Sequence, residues 1–197
     1  MAKKVPRDIK IVKKVPRDIK IVNIVVSTSL EHDIPLEKMA ATLSNTEYNP
    51  EQFPGLVIRI KEPKTSALIF SSGKVVCTGA RTIEKVQESI KKIIKSLEKI
   101  NINIKIKPEI KIQNIVASGS VGMDLNLNEL ATKLQNVEYE PEQFPGLVYK
   151  LAPTKVNPQA TFLLFSNGKI VCTGTKSQKE VYLALDKLIE NLKKAKA

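Results

Sequence analysis

Apolar and polar positions along this chain follow two periods, and the two periods occur in the same order twice. Residues 19–29 form a β-branched run and predict a strand. Pro35 then opens a short helix with Leu36, Met39, Ala40 and Leu43 on one side. A second strand is expected at residues 56–61, and residues 66–71 and 74–78 read as a hairpin around Ser72-Gly73. The period then changes to that of a helix. Ile83, Val86, Ile90, Ile93, Ile94 and Leu97 make an apolar stripe with lysines opposite. From residue 110 the order restarts, and it ends on a helix carrying Val181, Ala184, Leu185, Leu188 and Leu192 at the same spacing.

The restart is a repeat in residue identity as well as in pattern. Ile19-Lys20-Ile21-Val22-Asn23-Ile24-Val25 matches Ile110-Lys111-Ile112-Gln113-Asn114-Ile115-Val116. Ten of eleven residues agree between Glu47–Val57 and Glu138–Val148, a stretch centred on Gln-Phe-Pro-Gly. The offset is 91 through these loops and 95 at Phe70 and Phe165, so the second copy carries a four-residue insertion around Ala152–Pro158. Two long copies imply a pseudo-two-fold protein, since a solenoid needs more and shorter units. The organisation expected is a tail at 1–18, a first repeat at 19–100, a linker at 101–109 and a second repeat at 110–197. Strand, helix, several strands and helix in each copy define an α+β unit with helices on one face of an antiparallel sheet.

The sheet's other face is the informative one. Alternation places Val22, Ile24 and Val26 on one side of the first strand and Ile21, Asn23, Val25 and Ser27 on the other. Leu68 and Phe70 share a face on the hairpin, as do Val76 and Thr78. Helices can cover only one side, so the uncovered one still carries valine, leucine and phenylalanine where a solvated face would carry charges. Such a patch marks a binding surface or an interface with another chain. Phe53 and Phe144 lie on loops beside Pro-Gly, where chain reversal is cheap and a core position is not expected.

Charge sharpens the choice of partner only a little. The chain has 197 residues and a net charge of +12. Residues 1–18 hold seven basic and two acidic side chains, because Lys3–Val12 recurs as Lys13–Val22. The remainder is mildly basic, so charge alone does not establish a polyanionic ligand. Cys77 and Cys172 occupy equivalent places and read as free buried thiols of a reducing compartment. No apolar run reaches the length of a membrane span and no signal-peptide pattern opens the chain, so a soluble intracellular protein is expected. The single histidine, His32, aligns with Met123. Neither copy shows a metal-ligand cluster, a glycine-rich phosphate loop or a nucleophile beside a base, so an enzyme is not expected and no cofactor is implied. Two classes remain: a nucleic-acid binder, and a scaffold whose apolar sheet takes a protein or an apolar ligand.

The motifs decide between them by resemblance. Asn-Ile-Val at 23–25 and 114–116, Pro-Glu-Gln-Phe-Pro-Gly-Leu at 50–56 and 141–147, Leu-Ile-Phe at 68–70 with Leu-Leu-Phe at 163–165, and Gly-Lys-x-Val-Cys-Thr-Gly in both copies resemble the TATA-box-binding protein family in its archaeal form, over residues 19–192. The resemblance implies a saddle-shaped curved antiparallel sheet with helices on the convex face. It implies binding to A·T-rich double-stranded promoter DNA, bending of that DNA, and nucleation of a transcription initiation complex. The family is itself a known case of minor-groove kinking by apolar wedges. Phe53 with Phe70, and Phe144 with Phe165, would be the two wedges. Asn23, Asn114, Thr78 and Thr173 would donate to groove acceptors, among Val25, Val116, Val76, Val171, Leu68 and Leu163. Arg59, Lys74, Arg81, Lys150, Lys169 and Lys176 would contact phosphates, although a solvated charge is the commoner explanation of any one. Glu138, Glu140 and Glu142 would meet a transcription factor B-type initiation factor, with RNA polymerase engaged indirectly; a solubilising charged loop is the alternative reading of the same residues. The resemblance further implies a monomer on DNA, a cytoplasmic, nucleoid-associated setting and no membrane partner.

Overall fold

A computed structural model describes residues 18–196. The tail expected at 1–18 lies almost wholly outside the described residues. The first half runs β1 (Lys20–Ser29), α1 (Leu36–Thr42), β2 (Thr46–Glu47), β3 (Gly55–Ile60), β4 (Thr65–Phe70), β5 (Lys74–Ala80) and α2 (Ile83–Glu98). The second runs β6 (Lys111–Ser120), α3 (Leu127–Lys133), β7 (Val137–Glu138), β8 (Leu147–Leu151), β9 (Ala160–Leu164), β10 (Lys169–Thr175) and α4 (Gln178–Lys196). The ten strands form one antiparallel curved sheet in the order β2-β3-β4-β5-β1-β6-β10-β9-β8-β7. That order reads the same in element type from either end, so the pseudo-dyad passes between β1 and β6, where Ile24 lies opposite Ile115. This is the α+β saddle that the pattern and the resemblance lead one to expect.

Local chemistry sets the element ends. Thr82 caps α2 by accepting from the Lys85 amide at 3.3 Å, and Asn126 caps α3 from Glu129 at 3.2 Å. Gly73 and Gly168 turn the β4–β5 and β9–β10 hairpins with φ of 75° and 74°. A Cβ on Gly73 would stand 2.3 Å from the His32 carbonyl oxygen, and one on Gly168 would stand 2.1 Å from that of Met123. Glycine is therefore required twice over at both turns.

All four helices among the described residues belong to one side of the sheet. Two hydrophobic cores lie there. One gathers Ile24, Val26, Ile58, Ile69 and Cys77 under Val86, Ile90, Ile93 and Leu97. The other gathers Ile115, Tyr149, Phe162, Leu164 and Cys172 under Val181, Leu185, Leu188 and Leu192. Ile102, in the stretch read as a linker, is also buried in the first core. Ile83 and Ile94 of the expected stripe are only partly buried.

One face assignment is corrected. Simple alternation put Val22 with Ile24 and Val26, and Ile21 with Asn23. Ile21 instead packs against both cores, and the β1–β6 register shifts between Ile21 and Asn23. The irregularity adds one residue, so Val22 turns to the uncovered side together with Asn23. The same shift recurs between Val25 and Val26, where Ile112 packs inward and Gln113 is the extra residue. The two-residue strands β2 and β7 also escaped the pattern, because two residues carry no period.

Candidate nucleic-acid interface

The face without helices is lined by half-buried apolar side chains. Val25, Val116, Leu68, Leu163, Val76 and Val171 are all neither buried nor fully exposed, while their strand neighbours Ile24, Ile115, Ile69, Leu164, Cys77 and Cys172 are buried. Leu68 lies opposite Val76, and Val171 opposite Leu163. Val57 and Val148 extend the patch, being partnered with Leu68 and Leu163 in register. Sequence reasoning missed these two. The alternation of Leu56, Val57 and Ile58 holds the signal, but all three are apolar and the period is silent on which faces out.

Each end of the patch is closed by an aromatic pair. Phe53 and Phe70 meet edge to face with ring centroids 5.9 Å apart, as do Phe144 and Phe165. The loop rings remain 43% and 40% exposed. Their position is set by a tight turn: the amides of Gln52 and Phe53 donate to the Asn49 carbonyl, and those of Gln143 and Phe144 to that of Glu140. Gly55 and Gly146 make room for them. A Cβ on Gly55 would lie 2.7 Å from the Phe53 ring and 3.1 Å from that of Phe70; on Gly146 the distances are 2.6 Å and 3.0 Å. The glycine of Phe-Pro-Gly is therefore the seat on which both rings rest.

Near the dyad the polar groups are held in fixed orientation. Asn23 Nδ2 donates to Thr78 Oγ1 at 3.0 Å, while the Gly79 amide donates to Asn23 Oδ1 at 2.8 Å. Asn114 repeats this with Thr173 at 2.9 Å and Gly174 at 2.8 Å. The carboxamide oxygen is thus tied to backbone, and the threonine bond uses one of the two amide hydrogens. The aromatic, apolar and asparagine–threonine groups predicted from the motifs are brought together on this single face.

The charged groups are arranged less simply. Lys74 and Lys169 open β5 and β10, and Arg81 and Lys176 follow those strands; all four are exposed. Arg59 is engaged by Glu47 at 2.9 Å, and Lys150 by Glu138, so both free-state cations already hold a carboxylate. Lys61 and Lys64, which sequence reasoning did not single out, border the same groove as Asn23, Arg59, Ser66 and Thr78. Glu140 and Glu142 are exposed on the loop that carries Phe144. The thiols lie on the helix side: burial pushes Cys77 up to about 11, with a hydroxyl of Ser89 moderating the rise, and pushes Cys172 up to about 12. Among the described residues no group of three or more His, Cys, Asp or Glu side chains could hold a metal ion. No helix among them is long and apolar enough to cross a membrane.

A pseudo-symmetric open sheet, with an uncovered apolar face bounded by aromatic pairs, defines a saddle-type binding protein. The sequence model of the family described as "Transcription factor TFIID (or TATA-binding protein, TBP)" matches residues 18–100 and 109–195, and the chain belongs to that family of transcription factors. The TATA-box-binding protein of Archaeoglobus fulgidus is 49% identical over 173 residues, covering 87% of this chain and 92% of that protein. That of Methanothermobacter thermautotrophicus is 52% identical over 165 residues, covering 84% and 89%. The solved structure of Methanococcus jannaschii TBP matches with a TM-score of 0.82 at 50% identity, covering 90% of this chain and 99% of that one.

Proposed function

We propose that this chain binds A·T-rich promoter DNA through the minor groove, bends it, and nucleates assembly of a transcription initiation complex. The observation that carries the reading is the uncovered face itself, with its two aromatic pairs at the ends and its two asparagine–threonine pairs at the centre. The apolar strip is buried against a widened groove. Phe53 with Phe70, and Phe144 with Phe165, enter base steps at its ends, the mode of kinking for which this family is itself the known case. The minor groove of A·T pairs offers only acceptors. Asn23, Asn114, Thr78 and Thr173 can donate to them. A guanine amino group would be pressed among Val25, Val116, Val76, Val171, Leu68 and Leu163 without an acceptor, which costs the desolvation of that group. Lys74, Arg81, Lys169 and Lys176 fix position on phosphates without reading sequence. Arg59 and Lys150 join them by exchanging Glu47 and Glu138 for phosphate.

The exposed carboxylates Glu138, Glu140 and Glu142 offer a basic initiation factor of the transcription factor B type a second surface, and RNA polymerase follows through that factor. One chain serves each site, without a cofactor, in the cytoplasm at the nucleoid.

The test is binding to a duplex with an A·T octamer, against inosine·cytosine and guanine·cytosine replacements. Inosine·cytosine keeps the A·T minor-groove pattern and a G·C-like major groove. The expected result is tolerance of inosine and a loss of about 1–3 kcal/mol for each guanine. Equal binding of all three, or of none, would give the apolar face to a protein or apolar ligand instead.

A further inference from the structure

The two halves of the uncovered face agree closely along the central strands: Asn23 with Asn114, Val25 with Val116 and Ser27 with Ser118. They part at the residue that each strand irregularity adds. In β1 this is Val22, and in β6 it is Gln113. Inward packing of Ile21 and Ile112 on both cores turns each of these residues away from the helices. Val22 accordingly borders the groove that holds Asn23, Ser66 and Thr78. Gln113 is exposed, and its Nε2 donates to Ser27 Oγ at 2.7 Å. Lysine flanks both places: Lys111 lies opposite Ser27 in register, and Lys20 opposite Ser118, both exposed. Each end of the central strand pair therefore presents a cation and a serine, but only one adds a carboxamide. The other adds two methyl groups.

Resting on the reading that a duplex lies on this face, we propose that Gln113 is a strand-selective contact. Its second amide hydrogen donates to a phosphate oxygen of one DNA strand. Ser27 accepts the first and can donate its own hydroxyl hydrogen to the same phosphate. Val22, beside Ser118, offers nothing equivalent to the dyad-related phosphate of the other strand. The protein then grips the two strands unequally even on a self-complementary box, and the two orientations become unequal in energy as soon as the dyad-related phosphates are made different. The aromatic pairs and the asparagines cannot do this, since both are present on each side of the dyad.

The full chain is bound to a self-complementary A·T octamer with identical flanks, in which phosphates of one strand are replaced singly by neutral methylphosphonate. Orientation is read by DNA cleavage from a reagent on Val156→Cys, a position 75% exposed; the two native thiols are buried and stay unlabelled. Unmodified DNA must show equal cleavage on both sides. At one linkage the chain should turn to spare the Gln113 contact, biasing orientation roughly threefold to tenfold. Gln113→Val should abolish the bias while binding persists, and Val22→Gln combined with Gln113→Val should reverse it. A bias unchanged in Gln113→Val, or no bias at any linkage in the parent chain, would overturn the assignment while leaving groove binding intact. Failure to bind the octamer at all would overturn the functional reading, and this inference with it.

Discussion

The two halves of the sheet are near copies on one side, Val22 against Gln113 being the main exception, and variants on the other. Toward the uncovered face, Leu68, Phe70, Val76 and Thr78 recur as Leu163, Phe165, Val171 and Thr173. Toward the helices, one row of cross-strand neighbours reads Val26, Cys77, Ala67 and Ile58 in the first half. Its counterpart reads Ala117, Cys172, Phe162 and Tyr149. A large side chain has moved from one flank of the cysteine to the other: valine beside alanine has become alanine beside phenylalanine. Tyr149 stacks on Phe162 with centroids 6.4 Å apart and accepts a hydrogen bond from Asn191 at 2.7 Å. Where the first half buries a Thr65–Ser89 contact at 2.8 Å, the second has Ala160 and Ala184. A core needs its space filled by no fixed set of side chains, so such exchanges are tolerated where the residues around the row repack with them. A recognition face must keep each group in place.

The most severe way to break this comparison is to empty the second core. Phe162→Ala should cost about 3–5 kcal/mol in denaturant unfolding, because the ring is fully buried and its neighbours are in rows fixed by the sheet. Placing the same ring in the other half, Ala67→Phe, should cost about 1–3 kcal/mol by overpacking. Combining it with Val26→Ala should recover part of that loss. Simple additivity in this pair would refute compensation along the row.

The uncovered face should behave in the opposite sense. Phe144→Ala removes a ring that is 40% exposed, so unfolding should move by less than about 1 kcal/mol. Affinity for the A·T duplex should fall by about 2 kcal/mol, as for an aromatic anchor, and the bend read by energy transfer between the DNA ends should shrink. An unchanged bend would remove Phe144 from the wedge. The smallest effect is expected at Thr175, whose buried hydroxyl finds no hydrogen-bond partner and whose counterpart is Ala80. Thr175→Ala should raise stability by up to about 1 kcal/mol. Destabilisation would show that the methyl group, not the hydroxyl, matters there.

Much of this fold was legible because the repeat states each element twice. The alternation of Leu68 and Phe70 against Ala67 and Ile69 located the uncovered face without any structure. It failed at Ile21 and Val22, because an extra residue in a strand reverses the assignments on one side of it relative to the other and leaves no mark in the local pattern. Val57 and Val148 were hidden by wholly apolar neighbours. The ion pairs of Arg59 with Glu47 and of Lys150 with Glu138 were out of reach for another reason. They join residues twelve apart across β2–β3 and β7–β8, and two-residue strands cannot be seen in sequence.

Those short strands have a consequence of their own. An open sheet is a template for further strands wherever its outermost backbone is free, and an apolar face makes uncontrolled growth more damaging. Here the sheet ends on Thr46–Glu47 at one edge and Val137–Glu138 at the other, two residues each, with an acidic side chain in both. So little exposed ladder, carrying charge, gives an incoming strand almost nothing to add to. The molecule can therefore keep a broad greasy underside open for its ligand while its borders are closed to polymerisation.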